Sequence, residues 1–426
     1  MARKIGFYGV LAYVLYGLFF YWYLFHFADT SLQFEYEGSK ADPATFLNGR
    51  ELMLSEEYSK IRNLLFFLST PFEWLFYLFI LLLGFGNAFK KWAGQSTKFK
   101  LVQTAIYLFW LSLFAFLATT PISYISYALS KSYNISTQSF SSWMKDELID
   151  FWVNFGMMII IVGVLYWLIN KSSKRWWLYA WLLSIPFTLF LMFLQPVIID
   201  PLYNDFYPLK DKELEAKILA LADKADIPAE HVFEVNMAEK TNALNAYVNG
   251  IGSNSRIVLW DTTLNRLNDE QILFIMAHEM AHYVEKHIYF GIAGYLLLSL
   301  VGLYLTARIM EYVIGRWGNV LKIPQVNDIR SLPLFLMILS MLLFISSPLS
   351  NFVSRYQELR ADQFAIEMTR DTQAGIETFQ ELTRAGLSQV NPPLLVKIFR
   401  YGHPTMLERI SMIEEFEINN KVKETK

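Results

Sequence analysis

The sequence predicts a mainly α-helical membrane protein, with seven spanning helices and a small α/β insert. Three observations lead there. Of 426 residues, 54% are hydrophobic and mean hydropathy is +0.28. Charged residues make up 18%, against about 25% in ordinary soluble chains. Seven apolar segments reach the roughly 20 residues that a helix needs to cross a bilayer.

The first span is expected at residues 5–27. Arg3 and Lys4 precede it as in a signal peptide, but the run is too long and lacks a small-residue cleavage site, so it reads as a retained helix. The others are expected at 63–89, 101–129, 151–169, 176–199, 288–313 and 331–353. Pro71, Pro121, Pro186 and Pro348 lie inside spans and should kink them without ending them. Trp176, Trp177 and Trp181 suit interfacial anchors at one end of the fifth. Glu73, inside the second, either snorkels outward or faces a watery interior.

Four regions follow: spans one to five over 1–199, a soluble α/β insert over 200–287, spans six and seven over 288–353, and a helical C-terminal part over 354–426. In the insert, "KDKELEAKILALADKADI" puts Leu214, Ile218 and Leu221 on one helical face. "HVFEVNMA", "NAYVNGIG" and "SRIVLWD" read as short strands, with "NGIGSNS" as the turn between the last two.

The chain has no cysteine, which excludes disulfides, thiol catalysis and thiolate ligands together. A net charge of −2 gives no basis for binding nucleic acid. Any metal must sit on His, Asp or Glu, and "HEMAH" at 278–282 has the right spacing. Residues i and i+4 lie about 40° apart on a helix, so His278 and His282 project toward one point. Glu279, beside the first, could take a proton from a water polarised by a metal. Ile272, Leu273, Ile275 and Met276 mark the helix as buried, where an unpartnered ionisable trio would be costly. His287 lies five residues beyond His282, about 140° round a continuous helix. It reads as an interfacial residue, not a ligand.

A catalytic zinc needs a third ligand. Glu358 and Asp362, again i and i+4, follow the seventh span. One could bind the metal while the other fixes a ligand imidazole; a solvated charged face is the plainer alternative. His403 and Arg409 could stabilise an oxyanion or hold a carboxylate, although alone they suit a cap and a surface charge.

Together, "HEMAH", "NFVSRYQELRAD" at 351–362, and "HP" at 403–404 followed by Arg409 resemble the M48 zinc metallopeptidases, most nearly the Ste24-type CAAX prenyl protease 1 branch. "IIDPLYNDFYPL" and "NALNAYVNGIGSNSRIVLWDTTL" are similar to that branch too. The resemblance implies seven helices around an intramembrane chamber. It also implies one zinc per chain on His278, His282 and Glu358, with Glu279 as base and Asp362 behind a ligand. His403 and Arg409 would assist at the substrate, and Asn245 and Ala246 would pair with the substrate backbone as an added strand.

The function expected is a zinc-dependent membrane endopeptidase. Its substrate would be a peptide or membrane protein, isoprenylated as for eukaryotic members, or unmodified in a bacterial quality-control role. The absence of cysteine and of an ER-retrieval signal in "NKVKETK" favours a bacterial cell membrane over the ER or inner nuclear membrane. The alternatives are a seven-helix receptor or transporter with an incidental zinc site, and a pseudo-enzyme. An intramembrane site-2-type protease would need an aspartate within a span, and 331–353 has none. Basic short loops, such as Lys90, Lys91, Lys98 and Lys100, would place the N-terminus in the cytoplasm and the insert outside. The resemblance implies the opposite orientation.

Overall fold

The computed structural model describes residues 1–227, 231–249 and 256–424, so most of the expected "NGIGSNS" turn lies outside the described residues. Its helices, in order, are α1 (Ala2–Trp22), α2 (Pro43–Phe46), α3 (Gly49–Leu83), α4 (Phe85–Ser96), α5 (Lys100–Ser132), α6 (Phe140–Lys171), α7 (Trp176–Leu194) and α8 (Lys212–Lys224). Then come α9 (Asp261–Arg266), α10 (Asp269–Val284), α11 (His287–Leu321), α12 (Leu332–Thr369), α13 (Thr372–Gly386), α14 (Leu394–Arg400) and α15 (Met406–Glu424). Strands β1 (Phe206–Pro208), β2 (Val232–Val235), β3 (Ala246–Asn249) and β4 (Arg256–Trp260) form one sheet in the order β1-β2-β4-β3.

Among the described residues, six helical stretches are long and apolar enough to span: Ala2–Phe27, α3, α5, α6, α11 and Ile329–Thr369. A seventh results if Trp176–Met192 and Gln195–Leu202, bent by 42°, form one span. Pro71, Pro121, Pro186 and Pro348 all sit inside helices. Several bounds differ from expectation. The helix of the second span, α3, starts at Gly49, where Asn48 and Glu51 form a capping box, and stops at Gly84 in a left-handed turn with φ of 80°. The expected segment 63–89 therefore runs across a break: capping geometry, not hydropathy, sets these ends.

The tryptophans differ as well. Trp176 is 1% exposed in the helix core, against Phe335, and Trp181 Nε1 donates to the Leu296 carbonyl at 2.8 Å. Both join helices to each other.

Apolar side chains from six long helices close one end of the bundle, among them Leu81, Leu108, Leu165, Trp176, Met310 and Phe335. The outward faces stay apolar, with Leu117, Ile160, Leu297 and Ile345 exposed as lipid contact requires. Further along, α3, α5 and α6 line a cavity of about 470 Å³ with Ser69, Glu73, Thr119, Ser123 and Glu147. Glu73 thus faces a polar interior space.

The sheet sits beyond that cavity. β2 runs parallel to β4, β3 antiparallel to it, and β3 has no further strand on its outer side among the described residues. Ile218 of α8 and Ile272, Met276 and Met280 of α10 pack on the sheet with Val232 and Ile257. The opposite side of α10, Phe274 and Ala277, packs with Ile366, Ile376, Phe379 and Ile413. A Cβ on Gly375 would come within 2.8 Å of Phe274, so glycine lets α13 approach this closely. These contacts clamp α10 from both sides.

Candidate active site

α10 begins in a capping box between Asn268 and Gln271 and carries His278, Glu279 and His282 over its next turns. α12 runs unbroken from Leu332 to Thr369, so the span that ends near 353 delivers Glu358 and Asp362 directly against α10. His278, His282 and Glu358 each offer one donor atom, all within 4.8 Å of one another.

The separations are those of ligands around a small ion. His278 Nε2 lies 3.3 Å from His282 Nε2 and 3.2 Å from Glu358 Oε2, and His282 Nε2 lies 3.5 Å from Glu358 Oε1. A tetrahedral ion with bonds near 2.05 Å would set its ligands about 3.3 Å apart. Glu358 Oε2 is buried and makes no hydrogen bond, although His278 and His403 nitrogens stand 3.2 and 3.3 Å away. A cation between these donors would satisfy that orphaned oxygen. Two nitrogens and one carboxylate oxygen fit zinc.

Each imidazole is held from behind. Asp362 Oδ1, fully buried, accepts from His278 Nδ1 at 2.8 Å, which leaves Nε2 pointing inward. Arg409 forks onto Asp362, with Nε 2.8 Å from Oδ2 and Nη2 bonded to Oδ1, and its guanidinium lies 4.0 Å over the Phe379 ring. Burial pushes the His278 imidazolium pKa down, but the bond to Asp362 and the nearby Glu358 carboxylate outweigh it and lift it to about 10. Burial pushes the Glu279 carboxyl up, opposed by the charge on His278. His403 remains 64% accessible on its side chain although surrounded by protein, so it faces the site cavity. Burial pushes its pKa down, which favours the neutral ring.

The sequence pattern of Peptidase family M48 matches residues 208–417, and that described as CAAX prenyl protease N-terminal, five membrane helices, matches residues 42–205. A Bacillus subtilis protein named uncharacterized metalloprotease YhfN is 54% identical over 96% of both chains. The chain belongs to peptidase family M48. A Dictyostelium discoideum CAAX prenyl protease 1 homolog is 30% identical over 71% of each chain. The crystal structure of S. mikatae Ste24p matches with a TM-score of 0.80 at 22% identity, over 97% of this chain and 98% of that one. This M48 peptidase therefore has the Ste24 membrane-chamber fold. It is a multi-pass membrane metalloprotease with peptide substrates, which sets aside the receptor and transporter readings.

In this M48 peptidase, His287 is not the interfacial residue expected. It is 8% exposed, its Nδ1 lies 3.0 Å from His282 Nδ1, and its Nε2 lies 3.3 Å from Glu285 Oε2. Glu285 in turn pairs with Arg360 at 2.8 Å. The helix is not continuous here: α10 ends at Val284 and Lys286 turns left-handed, with φ of 59°. That single turn places His287 against His282.

Arg409 and Asn245 are also more restricted than expected. Two Arg409 donors are committed to Asp362, the carboxylate that is bonded to His278. The Asn245 main-chain N–H donates to Thr263 Oγ1 at 2.9 Å, and its carbonyl accepts from Trp260 N at 3.1 Å. Asn245 and Trp260 are thus the hydrogen-bonded pair, and Ala246, opposite Leu259 in the next pair, turns its own polar groups to the free edge. Two residues on, the Val248 main chain faces the Glu279 carboxylate and favours its charged form.

Proposed function

We propose that the protein is a zinc-dependent membrane endopeptidase of the CAAX prenyl protease 1 type, with one zinc on His278, His282 and Glu358. The observation that carries this is the set of donor separations of 3.2 to 3.5 Å around an unbonded carboxylate oxygen. Bound there, zinc would supply Lewis-acid polarisation of the substrate carbonyl and of the attacking water.

The chain supplies the remaining steps. Glu279 accepts a proton from the water as it attacks the carbonyl carbon, then passes it to the amine nitrogen as the C–N bond breaks. The Val248 main chain favours the charged form of the Glu279 carboxylate. Asp362 and Arg409 fix the His278 tautomer, and His287 and Glu285 do the same for His282. His403 donates to the oxyanion that develops on the substrate. Ala246 pairs with the substrate backbone at the β3 edge, and Asn245 contributes its side-chain amide.

In domain terms, residues 1–199 and 288–353 form the membrane unit, and 200–287 with 354–426 form the catalytic unit. Prenylated peptides are favoured as substrates by the names of the relatives. The test is cleavage of matched peptides, farnesylated and not, with scissile bonds mapped by mass spectrometry. The proposal expects hydrolysis and a preference for the prenylated form. Equal cleavage of both would turn the function toward general membrane-protein degradation, and cleavage of neither by zinc-loaded protein would overturn the peptidase assignment.

A further inference from the structure

The end of the bundle closed by Leu81, Leu108 and Leu165 is strongly basic. Arg3 and Lys4 open α1, and Lys90, Lys91, Lys98 and Lys100 follow from α4 to the head of α5. Lys171, Lys174 and Arg175 join α6 to α7, and Arg316, Lys322 and Arg330 flank the turn from α11 to α12. Across 1–5, 84–100, 171–175 and 314–331, these twelve basic residues stand against one acidic residue, Asp328.

Direct contacts hold the connections together on one face. Lys90 Nζ meets Asp328 Oδ2 at 2.6 Å, and Arg330 Nη1 donates to Asn87 Oδ1 at 2.7 Å. Lys322 Nζ donates to the Leu83 carbonyl at 2.9 Å, and Asn327 Nδ2 to Asn170 Oδ1 at 3.2 Å. Ala2 and Ile5 pack on the same core, which brings the head of α1 to this end as well.

The zinc site lies at the other end. From Leu332 to Tyr356, α12 rises about 36 Å, more than the ~30 Å hydrocarbon core of a bilayer. Tyr289, Phe290, Phe352 and Tyr356 are all more than half exposed and form an aromatic belt at that far interface. Glu358 and Asp362 follow directly. Outside the catalytic unit, this end carries half as many basic residues, six: Lys40, Arg50, Lys60, Arg62, Lys131 and Lys145. Its connection at 28–48 holds Asp29, Glu35, Glu37 and Asp42 against Lys40.

Lys and Arg in short connections are retained on the cytoplasmic side, and the cytoplasmic leaflet carries the anionic lipids that attract them. A bundle of one fold can be inserted either way round, so the likeness to Ste24p describes the fold, and the connection charges of each chain set its orientation. We propose that the basic end of this protein docks on the anionic headgroups of the cytoplasmic leaflet, and that the zinc site opens on the extracytoplasmic side. Its substrates are then peptide segments exposed at the outer face of the membrane. The orientation stands apart from the proteolytic reading above, and the substrates rest on it.

The chain has no cysteine, so single substitutions give unique labels. Gln95→Cys marks an exposed position at the basic end, and Lys224→Cys an exposed position at the end of α8 in the catalytic unit. Full-length protein in intact bacterial cells is treated with a membrane-impermeant maleimide, then permeabilised and treated with a second maleimide of different mass. Lys224→Cys should react in the first step and Gln95→Cys only in the second. The reverse order, or equal labelling of both in the first step, would overturn the orientation. Changing Lys91, Lys98, Lys100, Lys174, Arg175 and Arg316 together to Gln leaves six basic residues at each end. That protein should insert both ways, so that Gln95→Cys becomes partly reactive in intact cells. Unchanged labelling would overturn the basic end as the surface that fixes the protein on its leaflet. Labelling needs neither zinc nor turnover, so a protein that labels as expected but cleaves no peptide would refute the peptidase alone.

Discussion

Arg409→Ala separates bracing of the metal site from contact with the substrate. Arg409 is 6% exposed and Asp362 fully buried, and the guanidinium provides two bonds to that carboxylate. Deleting it leaves a buried anion whose remaining partner is His278, which carries the ligand nitrogen. Removing one partner of a buried pair costs about 3–5 kcal/mol, and the stack on Phe379 is lost as well. Loss of support behind a ligand imidazole typically weakens metal affinity ~10- to 100-fold. The assay measures Tm in detergent, zinc retention against a graded chelator, and turnover per bound zinc, all on one preparation. The expected outcome is lower Tm and weaker zinc binding, with turnover per zinc within about threefold of wild type, since loss of support behind a ligand acts on occupancy. Wild-type Tm and zinc affinity with turnover per zinc down ~10- to 1,000-fold would refute the bracing role and put the guanidinium on the substrate.

Other expectations follow from the same geometry. Glu279→Gln keeps size and polarity but cannot take a proton, so zinc content should hold while turnover falls ~10²-fold or more; wild-type rates would remove Glu279 as base. His287→Ala should weaken zinc binding ~10- to 100-fold by freeing the His282 ring, and unchanged affinity in a chelator titration would show that the 3.0 Å contact is idle.

Much of the site was legible because its key spacing is local. His278 and His282 at i and i+4, and Glu358 and Asp362 likewise, need only helical periodicity to share a face. What the sequence could not show is which pairs meet across the fold. Arg409 and Asp362 are 47 residues apart, and nothing in "HPTMLERI" says that the guanidinium turns inward. His287 was missed because a single left-handed residue, Lys286, ends the periodicity on which the reasoning relied. Hydropathy located the spans but not their ends: α3 gains its first turns from the Asn48 cap, and α12 continues as helix well past its apolar run. β1 escaped notice because Phe206–Pro208 is three residues long and ends in proline.

The most direct test is peptide hydrolysis measured against bound zinc while metal-stripped protein is reloaded, with Glu358→Ala in parallel. A zinc peptidase built on His278, His282 and Glu358 should regain activity in proportion to zinc, reach a plateau at one ion per chain, and show neither tight zinc nor activity in the variant. Full activity before any zinc is bound, or a Glu358→Ala protein that loads and turns over like wild type, would contradict it.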